Sequence, residues 1–413
     1  MQRQDDSKRP SASGTPISEA SVDDHSRFRR PNRSRSRRAF LAAAGVGLTG
    51  ALAGCIGESA PGDPTSTDDS TTTGDEPTTT AEADRPDITY RGRFDRVGLA
   101  PAVNDAGVEM GTWREEGLDV SYETASGGQA AAKSVASGED EFGNADVAAV
   151  LQLMEQDAPL TIIANIAGPM DGVVSLTETD ITEWGDLEGT VVGMYPFGST
   201  GPAAKAAMRE EDVDVDAVEF RNIQPGNGQK LLLDGSIDAV IRYFPQMVTR
   251  LDAQDVETNV LQTQDVLGHL GIMLYAHDDV VENHPDRVDS FVRGWLEAFQ
   301  IWATDVDSVI EVYEPLAVGE FDEELERQTL PSLYASQAPS REVGEEYGKG
   351  WIAAEDMQRT IDAFAKTELL SGDLDAESTY TMQFIEENRD LAVETAEALY
   401  GALEDYEVGP DYL

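Results

Sequence analysis

From about residue 88 onward the sequence predicts an α/β fold with helices on both faces of its sheet. Two observations carry that expectation. Short apolar runs alternate with segments of helical period, and several runs are apolar throughout, such as Leu160-Thr161-Ile162-Ile163-Ala164 and Gly271-Ile272-Met273-Leu274-Tyr275. Strands buried on both faces read as continuous apolar runs, whereas half-exposed strands alternate. Residues 88–413 are also numerous enough for two lobes, each with a core of its own.

Taken in order, Arg96-Val97-Gly98-Leu99-Ala100 reads as the first strand, followed by a helix through Glu109–Trp113 and a strand at Leu118–Tyr122. A helix is expected from Gln129 to Ala136 and a short strand ending at Gly143. The apolar run at Leu160–Ala164 is the next strand. The alternation resumes with strand Val191–Met194, helix Pro202–Met208, strand Ala217–Phe220, a helix near Gln229–Leu233 and strand Ala239–Ile241. The run Gly271–Tyr275 supplies one more strand. Beyond residue 277 the chain turns helical. Pro285 suits a first helical turn, and Val288, Phe291, Val292, Trp295, Phe299 and Trp302 recur on one face, which reads as core rather than as a ligand box.

The N-terminal region has a different character. Ser36-Arg37-Arg38-Ala39-Phe40-Leu41 precedes an apolar stretch that ends in Leu52-Ala53-Gly54-Cys55. Twin arginines before a short apolar stretch resemble a twin-arginine export signal, and the small-residue run closing on cysteine resembles a lipobox. The apolar run spans about 14 residues, short of the roughly 20 that cross a bilayer. Cys55 is the single cysteine of the chain, so no internal disulfide is possible. The resemblance implies a signal over residues 1–54, cleavage before Cys55, lipid on its sulfur, and a position on the outer face of the cell membrane. Residues 55–87, rich in Thr, Asp and Pro, read as a disordered tether.

The chain carries 30 Lys+Arg against 79 Asp+Glu, a formal net charge of −49, and ten of the basic residues lie in the signal. Only Lys133, Lys205, Lys230, Lys349 and Lys366 follow it. A surface this acidic excludes nucleic acid as a partner, because phosphate backbones require a basic face. Such a charge excess repels itself in dilute buffer and is screened in molar salt. It reads as adaptation to high salt, most simply in a halophilic archaeon.

Several segments together resemble the solute-binding proteins of ABC importers, in the branch serving nitrate, sulfonates, taurine and thiamine-pyrimidine precursors. They are Pro101-Ala102-Val103-Asn104-Asp105, Glu115-Glu116-Gly117-Leu118-Asp119-Val120, Ser126-Gly127-Gly128-Gln129 and Ala136-Ser137-Gly138-Glu139-Asp140-Glu141-Phe142-Gly143. Further on come Asp186-Leu187-Glu188-Gly189, Gly198-Ser199-Thr200, Gly235-Ser236-Ile237-Asp238-Ala239-Val240 and Glu282-Asn283-His284-Pro285-Asp286-Arg287-Val288. One departure is Glu141, where the family's Gly-x-x-Asp-Phe-Gly element has Asp. The resemblance implies a two-lobed type II periplasmic-binding fold with a helical C-terminal region. Its first lobe would be residues 88–176 completed by 267–413, and its second 177–266. It further implies a monomeric, lipid-anchored receptor that closes on a small-molecule solute and delivers it to permease subunits.

In open α/β sheets ligands sit beyond the carboxyl ends of strands, near helix N-termini whose free N–H groups suit anions. The candidate contacts are Asn104, Gln129, Asn144, Ser199 and Thr200, each of which has helix capping as its ordinary alternative. Asp146 reads as a cap, and Asp238 as a brace for its own turn. Arg242 and Tyr243 follow the strand Ala239–Ile241, at a cleft-facing position in the family. The arginine suits a carboxylate, sulfonate or phosphate, or else pairs with one of the many surface acids. Tyr195 and Phe197 flank the Ser199 turn and either stack on a flat heterocycle or pack the lobe. No cofactor is implied. A related branch of the fold makes a pyrimidine with a histidine and a cysteine-rich motif, but only His269, His277 and His284 follow the signal here, with no cysteine. Catalytic and metal-ligating residues are therefore not expected. A sensor or adhesin on the same fold is the alternative to transport, ahead of an exported enzyme acting on a small heterocycle.

Overall fold

The computed structural model describes residues 85–196, 200–224 and 226–406. Cys55, the expected signal and nearly all of the expected tether lie outside them, as do Phe197, Gly198 and Ser199. Ten strands are present among the described residues: β1 (Asp87–Gly92), β2 (Asp119–Thr124), β3 (Phe142–Asp146), β4 (Leu160–Ala167), β5 (Asp171–Leu176), β6 (Val191–Met194), β7 (Glu219–Asn222), β8 (Ala239–Tyr243), β9 (Thr258–Gln262) and β10 (Ile272–His277). They form two five-stranded sheets, in spatial order β2-β1-β3-β10-β4 and β7-β6-β8-β5-β9.

Both sheets follow one plan. Three parallel strands are followed by an antiparallel one, β10 in the first sheet and β5 in the second, and then by an edge strand. The chain leaves the first sheet along its edge strand β4 and enters the second as β5. It leaves the second along its edge strand β9 and returns as β10. The first crossing takes only Gly168-Pro169-Met170; the second runs through the short helix Thr263–Leu267 and residues 268–271. The expected first boundary at residue 176 is therefore corrected: β5 bonds to β8 and β9, so the chain changes sheets at 168–170.

The two crossings touch backbone to backbone. A Cβ on Gly271 would lie 2.4 Å from the carbonyl oxygen of Ala167 and 2.5 Å from both Gly168 C and Pro169 N. Only glycine fits where two main chains approach so closely. The Gly271 carbonyl also accepts the Val147 N–H at 2.8 Å, tying the second crossing to the helix Val147–Met154 after β3.

The first strand lies earlier than the sequence suggests. Residues 87–92 alternate Ile88, Tyr90 and Gly92 inward with Asp87, Thr89 and Arg91 outward. Residues 96–100 are instead a loop in which Leu99 is buried while Val97 is 52 % exposed. The aromatic stripe of the helix Pro285–Thr304 is core as expected. Phe291 stacks on Phe142 of β3, and its carbonyl accepts the indole N–H of Trp113 at 2.9 Å. Behind the crossings, the helix Ala354–Lys366 sends Met357, Ile361 and Phe364 into a cluster shared with Ala145 and Met273 of the first sheet and Val173 and Ile241 of the second.

Lys349 is 2 % exposed and has no carboxylate partner among the described residues. Between Asn165 and Ala167 the pairing of β4 with β10 skips Ile166, a bulge that frees its carbonyl from the ladder. The Lys349 amine donates to that carbonyl and, at 2.7 Å, to the carbonyl of Gln337. Burial pushes its pKa down from 10.5 to about 7, and the neutral amine has N–H groups enough for both bonds.

Two outcomes follow. Gly271→Ala lowers stability by about 2 kcal/mol, as overpacking against backbone does, read from urea unfolding in molar KCl. Lys349 binds a proton more weakly folded than unfolded, so its contribution to stability is fully present above pH 10.5 and is lost as pH falls to about 7. The stability of the parent relative to Lys349→Met therefore rises with pH across that window, at up to roughly 1.4 kcal/mol per pH unit. A flat difference contradicts the assignment.

Candidate functional site

The carboxyl ends of β1 and β3 carry a polar group that strand geometry brings together. Asn144, 6 % exposed, lies inside β3 rather than beyond a strand ending at Gly143, which corrects the sequence reading. Its Nδ2 donates to the Tyr90 hydroxyl at 2.8 Å, and its Oδ1 accepts the Arg93 N–H at 3.3 Å. Burial raises the pKa of Tyr90 well above its ordinary value and that of Tyr122 to about 12, so both hydroxyls stay protonated. Arg93 reaches Asp146 at 3.3 Å. Asp146 precedes the helix Val147–Met154 but makes no side-chain cap bond, so its expected capping role is replaced by this ion pair.

Opposite these residues stands the end of the β5–β8 pair. Asp171 is registered with Tyr243, and Gly172 with Arg242. Successive strand residues point to opposite faces, which separates the two side chains. Tyr243 lines a cavity of about 20 Å³, together with Asp146, Asp171, His269 and the backbone of both crossings. That volume is close to what one water requires. Burial, then the charge of Asp146, raises the Asp171 pKa to about 7, with Arg93 opposing. Burial likewise lowers the His269 pKa, keeping the ring neutral, with Nδ1 2.7 Å from the Leu270 carbonyl oxygen.

Arg242 has a different environment. Its Nε donates to the Tyr243 carbonyl at 2.7 Å, and it forms no ion pair among the described residues. Burial lowers its pKa, and the neighbouring charge of Arg250 adds to that effect. Of the two readings weighed from sequence, a surface arginine paired with an acid is not what is found. A desolvated guanidinium without a carboxylate is a forked donor for a planar or tetrahedral anion.

The remaining candidates are more scattered. Asn104 is not at a strand end: it is buried in the first turn of the helix Ala102–Met110, ten residues past β1. Gln129 is exposed in the helix Gly128–Ala136 and donates to Gln152 at 3.0 Å. Thr200 is the first residue of the helix Thr200–Glu210, while Ser199 lies outside the described residues. Asp238 was expected to brace its own turn; its carboxylate instead accepts the N–H of Val191 on β6 at 2.7 Å, tying the start of β8 to the neighbouring strand. Glu141, the departure from the family pattern, accepts the Thr89 N–H at 3.0 Å, while Asp140 takes Arg91 through two bonds. Among the described residues no group of three or more His, Cys, Asp or Glu is placed to hold a metal ion. Sequence reasoning missed Arg93, Asp171 and His269. Arg93 had a signal, a basic residue directly after a strand-ending glycine in a chain poor in bases.

Comparison with known proteins bears on this arrangement. A family model described as NMT1/THI5 like matches residues 106–306. The chain is 26 % identical over 211 residues to the riboflavin-binding protein RibY of Chloroflexus aurantiacus, covering 48 % of this chain and 57 % of that protein. It is 22 % identical over 200 residues to the taurine-binding periplasmic protein of Escherichia coli, covering 47 % and 61 %. The matches thus span little more than half the length of these curated relatives. Among solved structures, the alkanesulfonate-binding protein SsuA of Xanthomonas axonopodis bound to MOPS superposes with a TM-score of 0.55 at 15 % identity, over 73 % of this chain and 99 % of that one. The fold is that of the periplasmic binding proteins. In that fold, the two sheets and their helices are the two lobes, and the crossings at 168–170 and 263–271 are the links between them.

Asp171 binds its proton more tightly folded than unfolded, so its stabilising contribution is present below about pH 4 and is lost as pH rises through about 7. Asp171→Asn removes that loss. The melting temperature of the variant exceeds that of the parent at alkaline pH, and the gap closes toward pH 4; a gap independent of pH contradicts the reading.

Proposed function

We propose that this chain is an exported receptor of the NMT1/THI5-like group that captures a small anionic solute between its lobes and passes it to an ABC permease. The observation that carries the reading is Arg242. In a chain with 79 acidic residues it is half-buried, feels the charge of Arg250, and has no carboxylate partner among the described residues. An anion at Arg242 offsets both the desolvation and the repulsion. The names of the taurine- and alkanesulfonate-binding relatives favour an organic sulfonate or a comparable anion. A flat heterocycle is the second reading, favoured by the riboflavin-binding relative, with Tyr195 at the end of β6 as the stacking ring. Thr200 and Ser199 would complete the anion's surroundings, with Asn104, Gln129 and Asn144 on the first lobe, while Tyr243, on the other face of β8, lines the small cavity at the crossings.

In this reading the receptor works as a monomer without catalysis. Residues 1–54 are a twin-arginine signal, Cys55 carries the lipid, residues 55–87 are the tether, and the acidic surface belongs to a haloarchaeal protein facing molar salt. The sheet crossings support lobes of about 88–170 with 271–413, and 171–262.

A thermal-shift screen of the mature chain in molar KCl tests the solute. Nitrate, taurine, alkanesulfonates, aminopyrimidines, riboflavin and short carboxylates form the panel, and a ligand of the folded state raises the melting temperature by mass action. A sulfonate or carboxylate is expected to do so, and Arg242→Ala to weaken it at least about tenfold by calorimetry, as loss of a charged hydrogen bond does. Unchanged affinity removes Arg242 from the site. For the anchor, Cys55→Ser is expected to release the protein into the medium or leave it unprocessed; normal retention contradicts lipidation.

A further inference from the structure

We infer that the helix Pro245–Asp252 of the second lobe is half of a latch: Gln246 and Arg250 seat on Gly98 and Glu326 of the first lobe and hold the lobes together without solute. The helix buries Pro245, Met247 and Leu251 against its own lobe. Gln246 and Arg250, four residues apart, share a different face. That face meets the first lobe at one point. A Cβ on Gly98 would lie 2.1 Å from Gln246 Nε2 and 2.9 Å from Glu326 Oε2, and the φ of Gly98 is +65°. Glycine is favoured there by its left-handed conformation, and with no side chain it leaves room for the Gln246 amide to sit against it. Arg250 Nη2 donates to Glu326 Oε1 at 2.8 Å, and the glutamate is 3 % exposed.

The contact is narrow and incompletely satisfied. Glu326 Oε2 and Arg250 Nε are both buried without a hydrogen-bond partner among the described residues. Tyr313 OH and Asp105 Oδ2 are in the same condition, and Tyr313 feels the charge of both Asp105 and Glu326. A fully bonded network of this kind is a permanent brace, whereas a half-bonded one holds with less than its full strength and can let go. Beside it the lobes part into an open groove of about 1010 Å³, with Val248, Thr249 and Asp252 on one wall and Gln328 and Pro331 on the other. The helix starts one residue after the strand that ends in Arg242 and Tyr243, and Arg242 feels the charge of Arg250 on it.

The latch rests on the receptor reading only for what closure accomplishes; the contact itself does not require a solute. If it biases the lobes toward the closed arrangement, its removal raises the open population and weakens apparent solute affinity by the fraction no longer closed. The test measures the lobes directly. Asp252→Cys and Gln328→Cys, on facing walls of the groove, are spin-labelled in the full chain carrying Cys55→Ser, and the distance between labels is read by pulsed electron resonance in molar KCl without solute. The parent is expected to show one short distance. Arg250→Met combined with Glu326→Gln removes the pair without stranding a buried charge, and is expected to add a longer population. Should that variant fail to fold by circular dichroism, Gln246→Ala and the near-isosteric Glu326→Gln, each alone, are expected to lengthen the distances to a smaller degree. Distances identical to the parent in a folded variant overturn the latch. That failure would leave solute binding untouched, and a failure of every solute to bind would leave the label distances untouched.

Discussion

The contact on which the rest of this structure depends is the one between the two sheet crossings at Gly271. Each sheet receives its antiparallel strand from the other, so β5 and β10 start within residues of the point where main chain meets main chain. No side chain at position 271 could be accommodated without moving Ala167, Gly168 or Pro169, all of which are backbone contacts. The cavity lined by Asp146, Asp171, Tyr243 and His269 is the space left around that crossing. Asp146 and Tyr243 line it from the carboxyl ends of β3 and β8, while Val147, Met170, Ala203, Ile272 and Phe364 make much of its wall apolar.

A second constraint is charge. With so few bases, most arginines near this region are committed to acids: Arg91 to Asp140, Arg93 to Asp146, Arg96 to Asp105 and Arg250 to Glu326. Each of these pairs joins segments far apart or at the ends of β1, so the scarce positive charge positions the loops around the strand ends. Arg242 departs from that rule, which is why it stands out as the solute contact in the proposed function. Lys349 departs from it differently, serving as a neutral amine on two carbonyls beside the first crossing.

The legible parts of the fold were those whose burial leaves a continuous apolar signature. β6 coincides with the expected Val191–Met194, β4 starts at Leu160 as expected, and the stripe from Val288 to Trp302 is core. β1 was misplaced because Asp87–Gly92 alternates polar and apolar residues, while Val97 and Leu99 imitate a strand in a loop. β5 and β9 gave no strand reading. β9 is a short edge strand, Thr258–Gln262, with mostly half-exposed residues, and β5 opens with the turn-like pair Asp171-Gly172. Of the candidate site, Asn144, Arg242 and Tyr243 drew notice from their residue types near expected strand ends, although Asn144 lies inside β3 rather than beyond it. Asp171 and His269 were not, since their roles come from two crossings meeting in space across about a hundred residues.

The central claim is a two-lobed receptor whose lobes close on a solute about the crossings at Gly271. Small-angle X-ray scattering of the mature chain carrying Arg250→Met and Glu326→Gln, whose lobes are free to part without solute, measured in molar KCl with and without a solute shown to bind by calorimetry, tests it most directly. The account predicts a smaller radius of gyration and a shorter maximum dimension in the bound state. Identical scattering curves at saturation, for a solute that demonstrably binds, would contradict it.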